Sequence, residues 1–321
     1  MTTATVALTR ELLADCVRSA TAAPSLHNSQ PWLFRIHESA VDVYADPSRR
    51  LRVLDPDGRE QLISVGAAVF TLRLALQRAG YGSDVALFPS DDADLVARVR
   101  VTQAAAVTRA VEALAAAIPH RHTNRRPFAR TPVPAEVLDD LRAAARWEHA
   151  VLAVAGPAGR DSILAMARVA DHRLHGRPGY WEEINRWTSD GVRRDGVPAW
   201  AVGPWDELGT VPIRDFAELS PAPRATAKFE SYPTILALAT AGDRRPDWVR
   251  AGQALQRVLL AATWRGLAAT PISQPVEVPQ VRRLLIEASA GLTVQMVLRI
   301  GYGLPTGRTP RRPLTDVVRR G

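Results

Sequence analysis

Two long stretches limit what this chain can become. EQLISVGAAVFTLRLALQRAG (60–80) and DWVRAGQALQRVLLAATWRG (247–266) each read as a helix that is apolar on nearly every face. A helix with one apolar stripe can lie on a surface, but one that is apolar all round must be enclosed by protein. The chain therefore has to wrap its other elements around two central helices. The stretches also align at a constant offset of 186 residues: Gly66 falls on Gly252, Ala68 on Ala254, Ala75 on Ala261 and Gly80 on Gly266. They are either two unrelated core helices or the matching parts of an internal duplication of roughly 120–190 residues per copy.

The flanking pattern recurs as well. Residues 7–22 read as an amphipathic helix, and WLFRIH (32–37) with AVDVYAD (40–46) as a strand pair. ADLVARVRVTQ (93–103) reads as a strand and TRAVEALAAAI (108–118) as a helix that ends before Pro119. In the second set, PAEVLDDLRAAAR (134–146) is a helix with Pro at its start and acids in its first turn. HAVLAVAG (149–156), TILALATA (234–241) and TVQMVLRIGYG (293–303) read as strands. Between them, 168–232 reads as irregular and carries Trp181, Trp187, Trp200 and Trp205.

The net charge of +8 raises nucleic acid as a partner. Of 41 Lys and Arg, only Lys228 is lysine, and residues 308–321 alone hold five Arg against one Asp. With no recognition helix and no aromatic–basic sheet pattern, the expectation is no nucleic acid. Cys16 is the single cysteine, so no intrachain disulfide can form. Arg10, Glu11 and Asp15 stand where a signal peptide would be apolar, and no apolar run reaches a membrane span. The expectation is a cytoplasmic chain.

Four short stretches can carry chemistry. APSLHNSQPW (23–32) offers amides and hydroxyls stiffened by Pro24 and Pro31, which suits a fixed polar rim against something flat. HRHTNRRPF (120–128) places Arg121, Thr123, Arg125 and Arg126 together. That is either a phosphate grip or a solvated basic turn. His120 and His122 have no third metal ligand in view, so no metal is expected. RGLAATPISQP (265–275) allows close backbone approach to a ligand or simply caps a helix. GRTPRRP (307–313) either completes a phosphate site or is a solvated tail. No nucleophile–base set and no Gly-rich dinucleotide loop stands out.

Taken together, these stretches resemble the nitroreductase-like FMN family. The matching motifs are RHTNR (121–125), APSLHNSQPW (23–32), RGLAATPI (265–272) and IGYGLPTGRTPRRPL (300–314). The resemblance implies an α+β fold, a nitroreductase-like α-β-α sandwich. In that family a homodimer holds FMN at its interface, one subunit giving the phosphate motif and the other the PSxxN motif. Here the order is rearranged. The first copy has only MTTATVALTRE where an Arg motif belongs, and the second has RWEHAV where NSQPW belongs. One chain thus resembles a fused pseudo-dimer with a single complete FMN site, as in the Acg-type branch. The implied division is 1–118 for the N-terminal half and 119–321 for the C-terminal half, with a lid insertion at about 168–232.

The resemblance also implies roles. Arg121, His122 and Thr123 would meet the ribityl phosphate, and Arg125 would stand near flavin N1 and O2. Pro24, Ser25, Leu26, Asn28 and Gln30 would line the ring, and Ala268, Ala269, Thr270, Pro271 and Ile272 would present backbone near N5. Arg311 and Arg312 would add phosphate contacts, while Trp181, Trp187 and Trp200 would form the lid. The implied function is hydride transfer from NAD(P)H through FMN to an electron-poor acceptor such as a nitroaromatic or quinone, with no protein nucleophile. The alternative is a protein that stores FMN beneath its lid without turnover, since the Acg-type branch is associated with little standard reductase activity. In either case the expectation is a monomer acting as an intrachain pseudo-dimer.

Overall fold

The computed structural model describes residues 7–189, 193–216, 224–287 and 291–319. Parts of the expected lid insertion, 190–192 and 217–223, lie outside the described residues. The Thr9 hydroxyl accepts from the Leu12 backbone N–H and starts α1 (Arg10–Ala20). The expected strand pair forms a hairpin of β1 (Trp32–Ile36) and β2 (Ala40–Ala45). Next come α2 (Arg59–Arg78), β3 (Tyr81–Leu87), β4 (Leu95–Ala104) and α3 (Arg109–Ala117). The four strands make one antiparallel sheet in the order β1-β2-β4-β3.

The chain continues through α4 (Ala135–Trp147), β5 (Val151–Val154), α5 (Pro157–His175) and α6 (Tyr180–Arg186). Two short parallel ladders follow, β6 (Thr188–Ser189) with β7 (Val197–Pro198) and β8 (Trp205–Asp206) with β9 (Thr226–Ala227). Then come β10 (Thr234–Thr240), α7 (Arg245–Trp264), β11 (Ala268–Pro271), α8 (Gln274–Glu277), α9 (Pro279–Glu287), β12 (Thr293–Gly301) and α10 (Leu314–Val317). A second antiparallel sheet takes the order β11-β12-β10-β5. The fold class is α+β. Among the described residues no helix is long and apolar enough to cross a membrane.

The two helices read as central are α2 and α7, and they pack on each other along their length. Each begins and ends at the position that the 186-residue offset assigns to the other. At their crossing two glycines let the backbones touch. A Cβ on Gly66 would lie 2.2 Å from the Val249 carbonyl oxygen, and one on Gly252 would lie 2.0 Å from that of Ile63. The contact is reciprocal, because Ile63 and Val249 are themselves offset equivalents. Ile63 is buried in the core beneath the second sheet, and Val249 in the core beneath the first.

Three features differ from the sequence reading. The span 168–232 is not irregular throughout. α5 runs into it as far as His175, with Leu164, Ala167, Ala170 and Leu174 buried, and α6 follows. Frequent Arg and His between those apolar positions hide the helical spacing. β3 went unassigned because YGSDVAL has a glycine at its second position and is mostly half-buried. Ala268–Pro271, read as a loop, is a strand, since small residues there pair with β12.

Candidate functional site

Two separated stretches meet at one cavity. Pro24, Ser25 and Leu26, ahead of β1, face Thr123 and Arg125, ahead of α4, across a cavity with about 760 Å³ of empty volume. Thr270 and Pro271 of β11 complete this wall. Thr123 is held there by a bridge to Ala269, and the Asn124 backbone N–H donates to the Ala269 carbonyl at 2.9 Å.

The 23–31 segment is bent against its preferences. His27, Asn28 and Gln30 have φ of 48°, 54° and 49°. Asn adopts the left-handed region readily, but His and Gln do so at a cost of roughly 1–3 kcal/mol each. Buried hydrogen bonds hold the bend. Asn28 Nδ2 donates to the Gly196 carbonyl at 2.9 Å and to that of Pro310 at 3.1 Å. Gln30 Nε2 donates to the Arg194 carbonyl at 2.8 Å, and Gln30 Oε1 accepts from the Arg312 backbone N–H at 2.8 Å. Asn28 and Gln30 therefore stand behind the cavity wall and fix the C-terminal segment against it.

Two guanidinium groups lie beside this wall, that of Arg121 buried and that of Arg311 on a half-buried residue. Arg311 Nη1 donates to Asn28 Oδ1 at 2.9 Å and Arg311 Nη2 to the Ala22 carbonyl at 3.4 Å. Arg121 Nη2 donates to the same carbonyl at 3.3 Å. The Nε atoms of both are buried with no hydrogen-bond partner among the described residues. Among those residues neither pairs with a carboxylate. Burial, and then Arg311, draws Arg121 down to about 9, and burial draws Arg311 down to about 10. Burial and Arg121 pull the half-buried His122 imidazole down to about 4. The group forms a positive cluster with no carboxylate partner among the described residues, which is the donor set an oxyanion such as a phosphate ester fits.

The other predicted residues divide. Arg125 is half-buried on the cavity wall, where its Nη1 donates to the Ala201 carbonyl at 3.0 Å and its guanidinium stacks 4.9 Å from the Phe216 ring. Ala268 and Ala269 pair with Gly301 and Ile300 in the sheet, and Ile272 is buried in the core beneath it. Arg312 braces the 23–31 bend, donating from Nη1 to the Gln30 carbonyl at 3.1 Å. None of the three lid tryptophans is among the described residues lining the cavity. Trp187 is buried with Tyr180 and Ile184, Trp181 packs partly buried against that cluster, and Trp200 is half-exposed against Gly307. From the same region Pro212, Ile213, Arg214 and Phe216 line the cavity instead. Arg214 is anchored by a buried ion pair to Glu277 at 2.6 Å.

The sequence reading missed His27 and Glu60. The His27 ring meets Phe216 edge-on at 5.0 Å, and neither of its nitrogens has a partner among the described residues. Burial, then Arg214 and Arg125, holds this imidazole neutral, well below the usual range. Glu60 lies on the cavity wall in the first turn of α2. A carboxylate inside a stretch otherwise read as apolar was the available signal.

The comparisons with known proteins follow the same lines. A family model described as "Nitroreductase family" matches residues 118–302. The Mycobacterium tuberculosis H37Rv protein Rv3131, provisionally named an NAD(P)H nitroreductase, is 35% identical over 307 residues, or 93% of this chain and 88% of its own. The acg protein of the same strain, named in the same provisional way, is 30% identical over 318 residues, covering 97% and 96% of the two chains. Among solved structures, the FMN and NADPH-dependent nitroreductase NfnB from Sphigopyxis sp. strain HMH aligns at a TM-score of 0.42 and 17% identity, over 65% of this chain and 98% of that one.

Proposed function

The chain belongs to the nitroreductase family, and on that premise we propose that it binds one FMN in the cavity between its two sheets. It works there as an NAD(P)H-dependent oxidoreductase toward electron-poor acceptors, nitroaromatics or quinones. The observation that carries this reading is buried Arg121 beside half-buried Arg311, with no carboxylate paired to either among the described residues. An anion between two neighbouring guanidinium groups offsets their mutual repulsion and the cost of burying Arg121, and a flavin phosphate supplies one. FMN, when bound, supplies the hydride chemistry. The chain's residues bind and tune. Arg121 and Arg311 take the phosphate, the Thr123 hydroxyl adds a donor, and Pro24–Leu26 and Thr270–Pro271 flank the ring. Arg125 puts a positive charge where negative charge on the ring is stabilised.

The reciprocal contact of Gly66 and Gly252 supports the idea that 1–118 and 119–321 are fused copies, because a two-fold interface places each residue against its equivalent's neighbours. The protein is then a monomer whose two sheets stand for two subunits, with a small-molecule acceptor and no nucleic-acid partner.

One observation favours a second reading. The 212–216 segment on the cavity wall is pinned by the buried Arg214–Glu277 pair, which suits a flavin held under cover without turnover. Anaerobic addition of NADH or NADPH to the yellow protein separates the two. Bleaching supports the oxidoreductase, and a spectrum that only dithionite bleaches supports storage. Protein that takes up no FMN overturns both.

A further inference from the structure

Glu60 is the one carboxylate among the described residues lining the flavin cavity. Its side chain is 3% exposed. Oε1 accepts from Arg59 Nη2 at 2.7 Å, whereas Oε2 is buried with no partner among the described residues. The same side chain lines a second cavity of about 890 Å³ on the other side, together with Asp55, Asp57, Arg59 and Glu277. Asp57 is exposed, so this second cavity reaches solvent. Glu60 therefore borders both the flavin cavity and a water-accessible polar one.

Resting on the flavin reading above, we propose that Glu60 is the proton donor for the acceptor. It holds a proton on Oε2 and is recharged from solvent through the second cavity. The balance of the reaction requires such a group. Reduction of a quinone follows NAD(P)H + quinone + H⁺ → NAD(P)⁺ + hydroquinone. The nicotinamide gives one hydrogen with two electrons, and the other proton comes from outside both substrates. Glu60 Oε2–H breaks as the quinone oxygen gains its proton, and the carboxylate then takes a proton from water on the side of Asp55 and Asp57.

The surroundings keep this carboxyl protonated near neutrality. Burial is the largest influence, followed by Glu277, with Arg59 opposing, Asp55 assisting and Arg214 opposing; together they move it up to about 8. Arg282 of α9 faces it from the second cavity. His27, across the flavin cavity, is held neutral and cannot supply the proton from an imidazolium.

Two measurements on the full FMN-loaded chain test this, with Glu60→Gln and Glu60→Asp as variants. In infrared difference spectra, the carbonyl stretch of one protonated carboxyl disappears as pH rises through about 8. That band is missing from Glu60→Gln at every pH. In stopped-flow reoxidation of the prereduced protein by a quinone, Glu60→Gln is slower by about 10²-fold or more. It also loses the native pH dependence, and Glu60→Asp restores part of both. FMN content and bleaching by dithionite stay native in Glu60→Gln. A chain that takes no FMN overturns the flavin reading, and this proposal with it. A loaded chain in which Glu60 is ionised at neutral pH, or in which Glu60→Gln reoxidises at the native rate, overturns the proton role alone.

Discussion

Replacing Arg121 by methionine separates binding from stability. Folding draws the Arg121 guanidinium down to about 9, chiefly through burial and then through Arg311. A cation with a depressed pKa costs the folded state its full penalty below the folded value, and the cost fades only as pH rises toward the unfolded one. At neutral pH the flavin-free chain therefore carries a penalty of up to about 5 kcal/mol at this site. Methionine fills similar space without charge, so flavin-free Arg121→Met is more stable than the native chain by about 1–4 kcal/mol, the range seen when buried charges give way to apolar residues. The same change removes a charge-assisted contact to the phosphate and weakens FMN by about 10²-fold or more. Thermal melts with and without FMN read both effects. At 100 times its Kd, FMN adds about 2.7 kcal/mol to the native chain. Arg121→Met starts higher and gains little, while Arg146→Ala on the exposed side of α4 changes neither. An Arg121→Met chain that melts lower without FMN and keeps the native gain with it would refute the assignment.

Three further outcomes follow. Asn28→Ala removes the bonds to Arg311 and to the Gly196 and Pro310 carbonyls, costing roughly 1–3 kcal/mol, and FMN content after gel filtration falls with it. Gly252→Ala drives a methyl to 2.0 Å from the Ile63 carbonyl oxygen and destabilises the chain by about 3 kcal/mol or more in urea unfolding; a native midpoint would show that α2 and α7 do not touch there. Burial pushes the Asp42 carboxyl up, but hydrogen bonds from Arg98 and His37 prevail and hold it below its usual 3.8. Its stabilisation is present above the unfolded value and is lost as pH falls through the folded one. Asp42→Asn is thus less stable at neutral pH, and its stability curve converges with the native curve in acid.

How much of this was legible follows from what makes each signal. The extents of α2 and α7 and their common offset were readable because a buried helix leaves no polar face to blur it. The β1–β2 hairpin was readable from alternation alone. The 121–125 and 23–31 segments came from a motif resemblance, and the structure brings them to one cavity. What side chains do once buried was not readable. Asn28 and Gln30, expected against the ring, instead clamp Arg311 and Arg312, because a tight left-handed bend turns their amides toward the C-terminal segment. Pro212, Ile213, Arg214 and Phe216 line the cavity rather than the tryptophans. Large aromatic rings stand out in a sequence, but here Trp187 fills a core and Trp200 a half-exposed site, while a short Pro-Ile-Arg segment gives no periodic signal. Glu60 needed both cavities to be seen, since sequence alone does not reveal what lies on either side of a helix turn.

The central claim is that one chain grips one flavin by its phosphate. Calorimetric titration of the purified chain with FMN and with riboflavin, which lacks the phosphate, tests it most directly. The account predicts one FMN per chain, bound at least about 10²-fold more tightly than riboflavin, with the difference abolished in Arg121→Met. Two FMN per chain, or equal affinity for FMN and riboflavin, would contradict it.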